Sequence, residues 1–310
     1  MKNKLVTLIG GGGFLGRYAV RSLLGAGARV RIAQRDPRDA WFLKTQGGLG
    51  QTQFVAADVT RPDTVARAVA GADVVVNLVG TFGPSMERVQ VGGARVVAEA
   101  AAQAGAGALV HVSAIGADAG AASAYGRSKG EGEAAVRAAF PTATILRPST
   151  VFGREDQFLN RFAQMIATSP IVPVLRADTR FQPVFAGDVG EAVAATAADP
   201  GRFGGQVLEL GGPDIVTMME LHRFLADAID RSPRLVALPD MAGALLAALP
   251  GTPIDRDQWL MLQHDNVVAG EDGLTALGIA PTPMAAVAPE WLVRFRRQGR
   301  FGRRAREQAA

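Results

Sequence analysis

Leu5-Val6-Thr7-Leu8-Ile9 runs directly into Gly10-Gly11-Gly12-Gly13-Phe14-Leu15-Gly16-Arg17. The first five residues are apolar or β-branched, the pattern of a buried strand. The glycines permit a tight turn, and Phe14–Leu24 then has helical spacing. Gly10, Gly13 and Gly16 stand three apart. A strand, a glycine turn and a helix in that order make a cradle for a pyrophosphate. The backbone can approach closely, and the N–H groups at the helix start hold the anion. The competing reading is a glycine-rich loop that binds nothing; the strand–turn–helix setting favours the cradle.

Outward from this turn the chain alternates two periods. Strand-like runs fall at Leu5–Ile9, Arg29–Ala33, Gln53–Ala56, Asp73–Leu78, Ala108–Ser113 and Thr144–Leu146. Helical spacing fills Phe14–Leu24, Thr64–Val69, Val89–Gln103 and Tyr125–Ala139. Such alternation predicts βαβ units and a parallel sheet. The fold class is α/β: a Rossmann doubly wound parallel sheet with a smaller C-terminal α/β region. Residues 1–150 read as a dinucleotide-binding core and 151–290 as a smaller substrate or partner region interleaved with it. Residues 291–310 read as a basic tail. Val207–Leu210 reads as a further strand. Thr217 reads as the N-cap of a helix over Met218–Ile229, with Glu220 completing a capping box.

Composition excludes several classes. The 310 residues are 48% apolar and 20% charged, so the chain is not disordered. Cysteine is absent, which removes disulfides, thiolate nucleophiles and cysteine-bound metals. His111, His222 and His264 show no metal-ligand spacing, and no metal is expected. The net charge of +4 is uneven. Residues 291–310 hold seven arginines and one glutamate, so the tail carries +6 and the other 290 residues carry −2. Nucleic acid is therefore not an expected partner. The tail mixes Trp291, Phe295 and Phe301 with arginine, a composition suited to an anionic membrane or an acidic partner. Met241–Leu249 is apolar but too short to span a bilayer and reads as a packed helix. The N-terminal residues show no signal-peptide pattern, so a cytoplasmic location is expected.

The second strand reads Val30-Arg-Ile-Ala-Gln34-Arg35-Asp36. Arginine at its end favours the 2′-phosphate of NADPH, and an acid there favours the ribose hydroxyls of NADH. Arg35, with Arg17 as a second candidate, points to NADPH; Asp36 is the competing reader. Asp58, after the third strand, is a candidate adenine contact or a turn residue capping Thr60. Tyr125 and Lys129 stand four apart on one helix face. A neighbouring ammonium favours a phenolate, which would let Tyr125 exchange a proton with a carbonyl or alcohol. Lys129 could also hold a nicotinamide ribose. The competing reading is a solvated surface pair.

Gly10–Gly16, Asp58, Asn77-Leu78-Val79-Gly80 and Tyr125-x-x-x-Lys129 together resemble an extended or atypical short-chain dehydrogenase/reductase. Leu146-Arg147-Pro148, Phe181–Asp188 and Gly211–Leu221 resemble later segments of that family. Within it, Gly13-Phe-Leu-Gly-Arg-Tyr18, His111-Val-Ser113 and Phe152–Asn160 are similar to the branch of large NAD(P)H-binding accessory subunits of respiratory complex I. The resemblance implies a nucleotide contacted by Gly10, Gly13, Phe14, Leu15, Gly16, Arg17, Arg35, Asp58, Val59, Asn77, Leu78, Val79, Gly80, Tyr125, Lys129 and Pro148. In that branch it is held structurally. The resemblance also implies complex I subunits as partners and a peripheral place on the cytoplasmic face of the inner membrane. The alternative it leaves open is a soluble NADPH-dependent reductase, or a nucleotide-sugar epimerase or dehydratase, using Tyr125 and Lys129. Active members place a hydroxyl just after the position of Ser113, where this chain has Ala114 and Ile115. Only Ser113 itself could supply it.

Overall fold

The computed structural model describes residues 1–249 and 254–297. They form two compact units. The first comprises Met1–Pro148, Ala186–Gly211 and Val268–Ala280. The second comprises Ser149–Phe185 and the described residues of Gly212–Val267 and 281–297.

The first unit is built on seven strands: β1 (Leu5–Ile9), β2 (Arg29–Gln34), β3 (Thr52–Ala56), β4 (Val74–Asn77), β5 (Ala108–Val112), β6 (Thr144–Pro148) and β7 (Val207–Leu210). Their order is β7-β6-β5-β4-β1-β2-β3, and every pair is parallel. This is the expected doubly wound sheet. The direction of winding reverses between β1 and β4, where ligands bind at the carboxyl ends of strands in such folds. Helices α1 (Phe14–Gly25), α2 (Pro62–Val69), α3 (Gly93–Gln103), α4 (Ala124–Ala139) and α5 (Ala186–Ala198) cover the sheet. All residues of β4 and β5 are buried, as strands covered on both faces must be. Val65, Val69, Val97, Ala101, Leu109 and Val136 belong to one core cluster, which α2, α3 and α4 close. On α5, a Cβ at Gly190 would lie 2.7 Å from the Tyr18 carbonyl carbon, so α1 and α5 cross at backbone distance.

One predicted element is irregular. The helix expected over Val89–Gln103 begins as a π-helix over Glu87–Gly92 before α3 continues regularly. Gly132 of α4 abuts the Gln90 carbonyl, and the wider turn leaves the Gln90 side chain buried. Isolated π turns of this kind recur at functional sites.

The second unit packs the helices Phe158–Thr168 and Met218–Ala228 around Phe152, Leu159, Leu221, Leu225, Trp291 and Leu292. The Thr217–Glu220 capping box forms as the sequence predicts. Trp291 and Leu292, read in the sequence as the start of the basic tail, are core residues. Residues 298–310, which carry most of that tail, lie outside the described residues, as do 250–253. The helix at Asp240–Ala248 is packed on one face only. Gly243 and Ala247 are buried, whereas Met241 and Leu245 are exposed. Gly243 is needed there because a Cβ would strike the Trp259 ring. Among the described residues no helix is long and apolar enough to cross a membrane.

Candidate functional site

The site grows from the register of three strands. Ile9 pairs with Asn77, and Asn77 with His111, so Gly10, Leu78 and Val112 emerge side by side. Gly10 takes φ +82°, a conformation open to glycine, and its N–H donates to the Ala33 carbonyl at 2.8 Å. Gly16 lies against the Gly11 backbone, where any side chain would collide. α1 therefore starts directly above the turn. Gly13 is its N-cap, with no side-chain cap and no acidic residue in the first turn. The first N–H groups of the helix are thus the kind that an anion satisfies. Phe14 and Leu15 are half-buried at this turn.

At the end of β2, Gln34 covers Gly12 and its amide donates to the Asp36 carbonyl at 2.6 Å. Asp36 caps the short 3-10 helix over Pro37–Gln46 and holds Arg38, with Nη2 to Oδ2 at 2.7 Å. Hydrogen bonds from Arg38 draw the Asp36 carboxyl down to about 2. Arg35 is exposed. The Arg17 guanidinium stacks on the Phe42 ring at 4.8 Å. Asp58 accepts from the Thr60 N–H at 2.9 Å and its hydroxyl at 2.8 Å, and these bonds lower its pKa, assisted by the charge of Arg35. The turn-capping role of Asp58 is therefore present. Val59 points into the core against Gly93, which leaves its backbone for any contact.

Asn77 is buried and organises the end of β4. Its carbonyl oxygen accepts from the Val79 N–H, which turns its NH₂ towards His111 Nδ1, both at 3.1 Å. His111 is then a neutral acceptor at Nδ1. Burial, with the charge of Lys129, pushes its pKa down to about 3. Val79 packs on Gly10, 3.1 Å from where a Cβ would stand.

α4 brings Tyr125 and Lys129 to this edge. Ser123 caps the helix by accepting from the Gly126 N–H at 3.0 Å. Lys129 is buried and its Nζ lies 3.4 Å from the Val112 carbonyl. Lys129 Nζ and Gln90 Oε1 both converge on Gly80, at 3.5 and 3.7 Å from a notional Cβ. Gln90 donates to Ser128 Oγ at 2.9 Å, and Ser128 donates to the Tyr125 carbonyl at 2.9 Å. Burial lowers the Lys129 ammonium to about 8, against the opposing charge of Glu133. Glu133 itself is held by Arg147 of β6 at 2.7 and 2.9 Å, and Arg147 reaches Glu209 at 3.9 Å.

The surroundings of the Tyr125 phenol oppose ionisation. Burial pushes it up to about 12, and Lys129 Nζ stands 5.8 Å from the ring, turned towards Val112. The exposed Phe82 stacks on Tyr125 at 4.7 Å and 13°. Ser113 lies where its N–H donates to the Leu146 carbonyl at 2.7 Å, and Ile115 donates to the Pro148 carbonyl at 3.1 Å. The Ser113 hydroxyl and Gln90 Oε1 are buried without a hydrogen-bond partner. A buried polar atom left unpaired is costly, so these two are prepared for a ligand or water.

The residues present fit a dinucleotide: a glycine cradle that side chains would fill, an uncapped helix start, and unpaired polar atoms deeper in the same edge. The model of the NAD dependent epimerase/dehydratase family matches residues 6–211. The chain belongs to that family. Its members are NAD(P)-dependent, and the sheet order described above is the one such nucleotides use. This epimerase-family chain is 34% identical to NADH dehydrogenase [ubiquinone] 1 alpha subcomplex subunit 9 of Mus musculus, over 94% of its own length and 80% of that protein's. It is also 34% identical to the ceramide reductase of Caulobacter vibrioides, over 80% of each chain. The fold is shared with an NADPH-dependent quinone oxidoreductase of Escherichia coli, solved with NADPH. That match has a TM-score of 0.76 and 19% identity, over 93% of this chain and 99% of the other.

Sequence reasoning did not reach Phe82, Arg38 or the Asn77–His111 pair. Arg38 had a signal, because Asp36-Pro37 is a helix-start pattern whose cap faces the residues that follow. Phe82 has none, since its contact is tertiary.

Proposed function

We propose that this chain is an accessory, nucleotide-holding partner of respiratory complex I, peripheral to the membrane, with NADPH in a mainly structural or weakly catalytic site. The observation that carries this reading is the likeness to a complex I subunit along 94% of the chain. The site agrees with it. Ala114 and Ile115 offer no hydroxyl, and the ring of Tyr125 is stacked against Phe82. Gly10–Arg17 would hold the pyrophosphate, Arg35 the 2′-phosphate, and Lys129 with Asn77–Gly80 the nicotinamide side. A bound nicotinamide supplies hydride exchange; what this chain's residues contribute is binding and orientation.

The test needs no substrate. Protein purified without added nucleotide is denatured, the released nucleotide is identified, and exchange with labelled NADPH is timed. Stoichiometric NADPH exchanging over hours is expected, together with complex I subunits in a native pull-down. An empty site, or exchange within a second, would overturn the reading. Arg35→Ala is expected to weaken NADPH by about 10–100-fold, the worth of a charge-assisted phosphate contact, and to leave NADH within about twofold. Equal losses for both nucleotides, measured by fluorescence titration, would remove Arg35 from this role.

The ceramide reductase relative supports a second reading, an NADPH-dependent reductase acting through Tyr125 and Lys129. In that case Tyr125→Phe abolishes NADPH oxidation across a panel of carbonyl and quinone substrates. In the accessory reading it leaves nucleotide retention unchanged.

A further inference from the structure

We infer that Arg38 sets the nucleotide preference of this site by locking Asp36, the acidic residue that would otherwise read the ribose hydroxyls. The inference rests on the proposed dinucleotide reading and goes beyond it, because it assigns specificity to a residue that would touch neither the nicotinamide nor the phosphates. Arg38 is a positioning residue in this sense.

The geometry is local and complete. Asp36 Oδ1 accepts from the Arg38 backbone N–H at 3.0 Å and from its Nε at 3.0 Å. Asp36 Oδ2 accepts from Nε at 3.1 Å and from Nη2 at 2.7 Å. A carboxylate offers about four lone-pair positions, and three N–H groups of Arg38, its backbone amide, Nε and Nη2, engage both oxygens, with Nε shared between them. The Asp36 carbonyl is also engaged, by Gln34 Nε2 at 2.6 Å. The acid therefore stands at the end of β2, where a ribose diol would be read, with both of its oxygens already engaged by Arg38. A bidentate arginine pair has the planarity to hold this geometry. It also cancels the negative charge that would repel a 2′-phosphate beside Arg35. Asp39 lies near enough to add its charge to that of Asp36 on Arg38. It belongs to the 3-10 helix, not to the strand end. One short segment thus carries an NAD-type acid and the guanidinium that competes for it.

The test compares Kd values for NADPH and NADH, by fluorescence titration, in the wild-type protein, Arg38→Ala, Arg38→Gln and Arg38→Ala/Asp36→Asn. Arg38 is exposed, and its backbone bond to Asp36 survives substitution, so the 3-10 helix keeps its cap. Melting curves check this. Freeing Asp36 for a ribose hydroxyl pair is expected to tighten NADH by about tenfold in both single variants. The double variant is expected to return NADH to the wild-type value. Unchanged NADH affinity in the single variants overturns the inference even if NADPH weakens, because Arg38 would then be a phosphate contact and not a lock. Wild-type protein that binds neither nucleotide would instead overturn the dinucleotide reading.

Discussion

Replacing Gly16 with alanine is expected to lower both nucleotide affinity and stability, against the usual sign for a helix. An exposed glycine in a helix normally gains about 0.5–1 kcal/mol on becoming alanine. At Gly16 the new methyl group would fall on the backbone of Gly11, and neither partner is a side chain that can swing aside. Overpacking of this kind costs about 1–3 kcal/mol. The strain is relieved only by lifting the start of α1 off the glycine turn, which pulls the anion-facing N–H groups out of place. Affinity for NADPH is therefore expected to fall by about 10–100-fold in calorimetric titration. Gly25→Ala is the control. It lies on the same helix, nothing stands within 4 Å of its Cβ, and it should bind normally. Unchanged binding by Gly16→Ala would mean that the cradle is not where the nucleotide sits.

The second large effect is a dependence of stability on pH carried by His111. Its folded pKa of about 3 lies below the usual 6.5, because the ring is buried and Lys129 is close. The unfolded chain takes up this proton as pH falls through 6.5, whereas the folded protein does so only near 3. The stability that the neutral ring contributes is thus fully present above 6.5 and is lost progressively down to about 3. Between pH 7 and pH 5 the loss is about 2 kcal/mol, and it grows on further acidification. His111→Gln removes this component. Urea unfolding of the two proteins at pH 7 and pH 5 should show a smaller drop in the variant. Carboxylates with lowered pKa values, such as Asp73 and Asp265, contribute equally to both proteins and cancel in the comparison. Identical drops would mean that His111 is charged, or solvated, in the folded state.

These two residues also show how much was legible in the sequence. Gly16 could be read directly, because glycine spacing between an apolar strand and a helical period has few other uses. The sheet strands were placed to within one or two residues for the same reason, since buried parallel strands such as Val74–Asn77 are almost continuously apolar. Tyr125 and Lys129 were legible as one helix face. Their protonation was not, because it depends on burial and on where the Lys129 amine turns. His111 was legible as a strand residue without metal-ligand spacing and as part of a family-like segment; its pairing with Asn77 needs the register between β4 and β5. The π-helix at 87–92 has no compositional mark, and it arises where Gly132 lets α4 press on Gln90. Asp36 was legible as a reader of ribose, but its capture by Arg38 depends on the turn that Pro37 starts.

The Glu133–Arg147 pair has a consequence for mutational additivity. Glu133 is one helical turn from Lys129 and is the negative charge that opposes the loss of its proton. Both Glu133 oxygens are already committed to Arg147, a residue of a neighbouring strand. Substituting Arg147 would release that carboxylate to act on Lys129 alone, so the lysine's titration is governed in part from β6. Free energies of changes at 129 and 147 are therefore coupled through Glu133, and their sum is not the effect of making both.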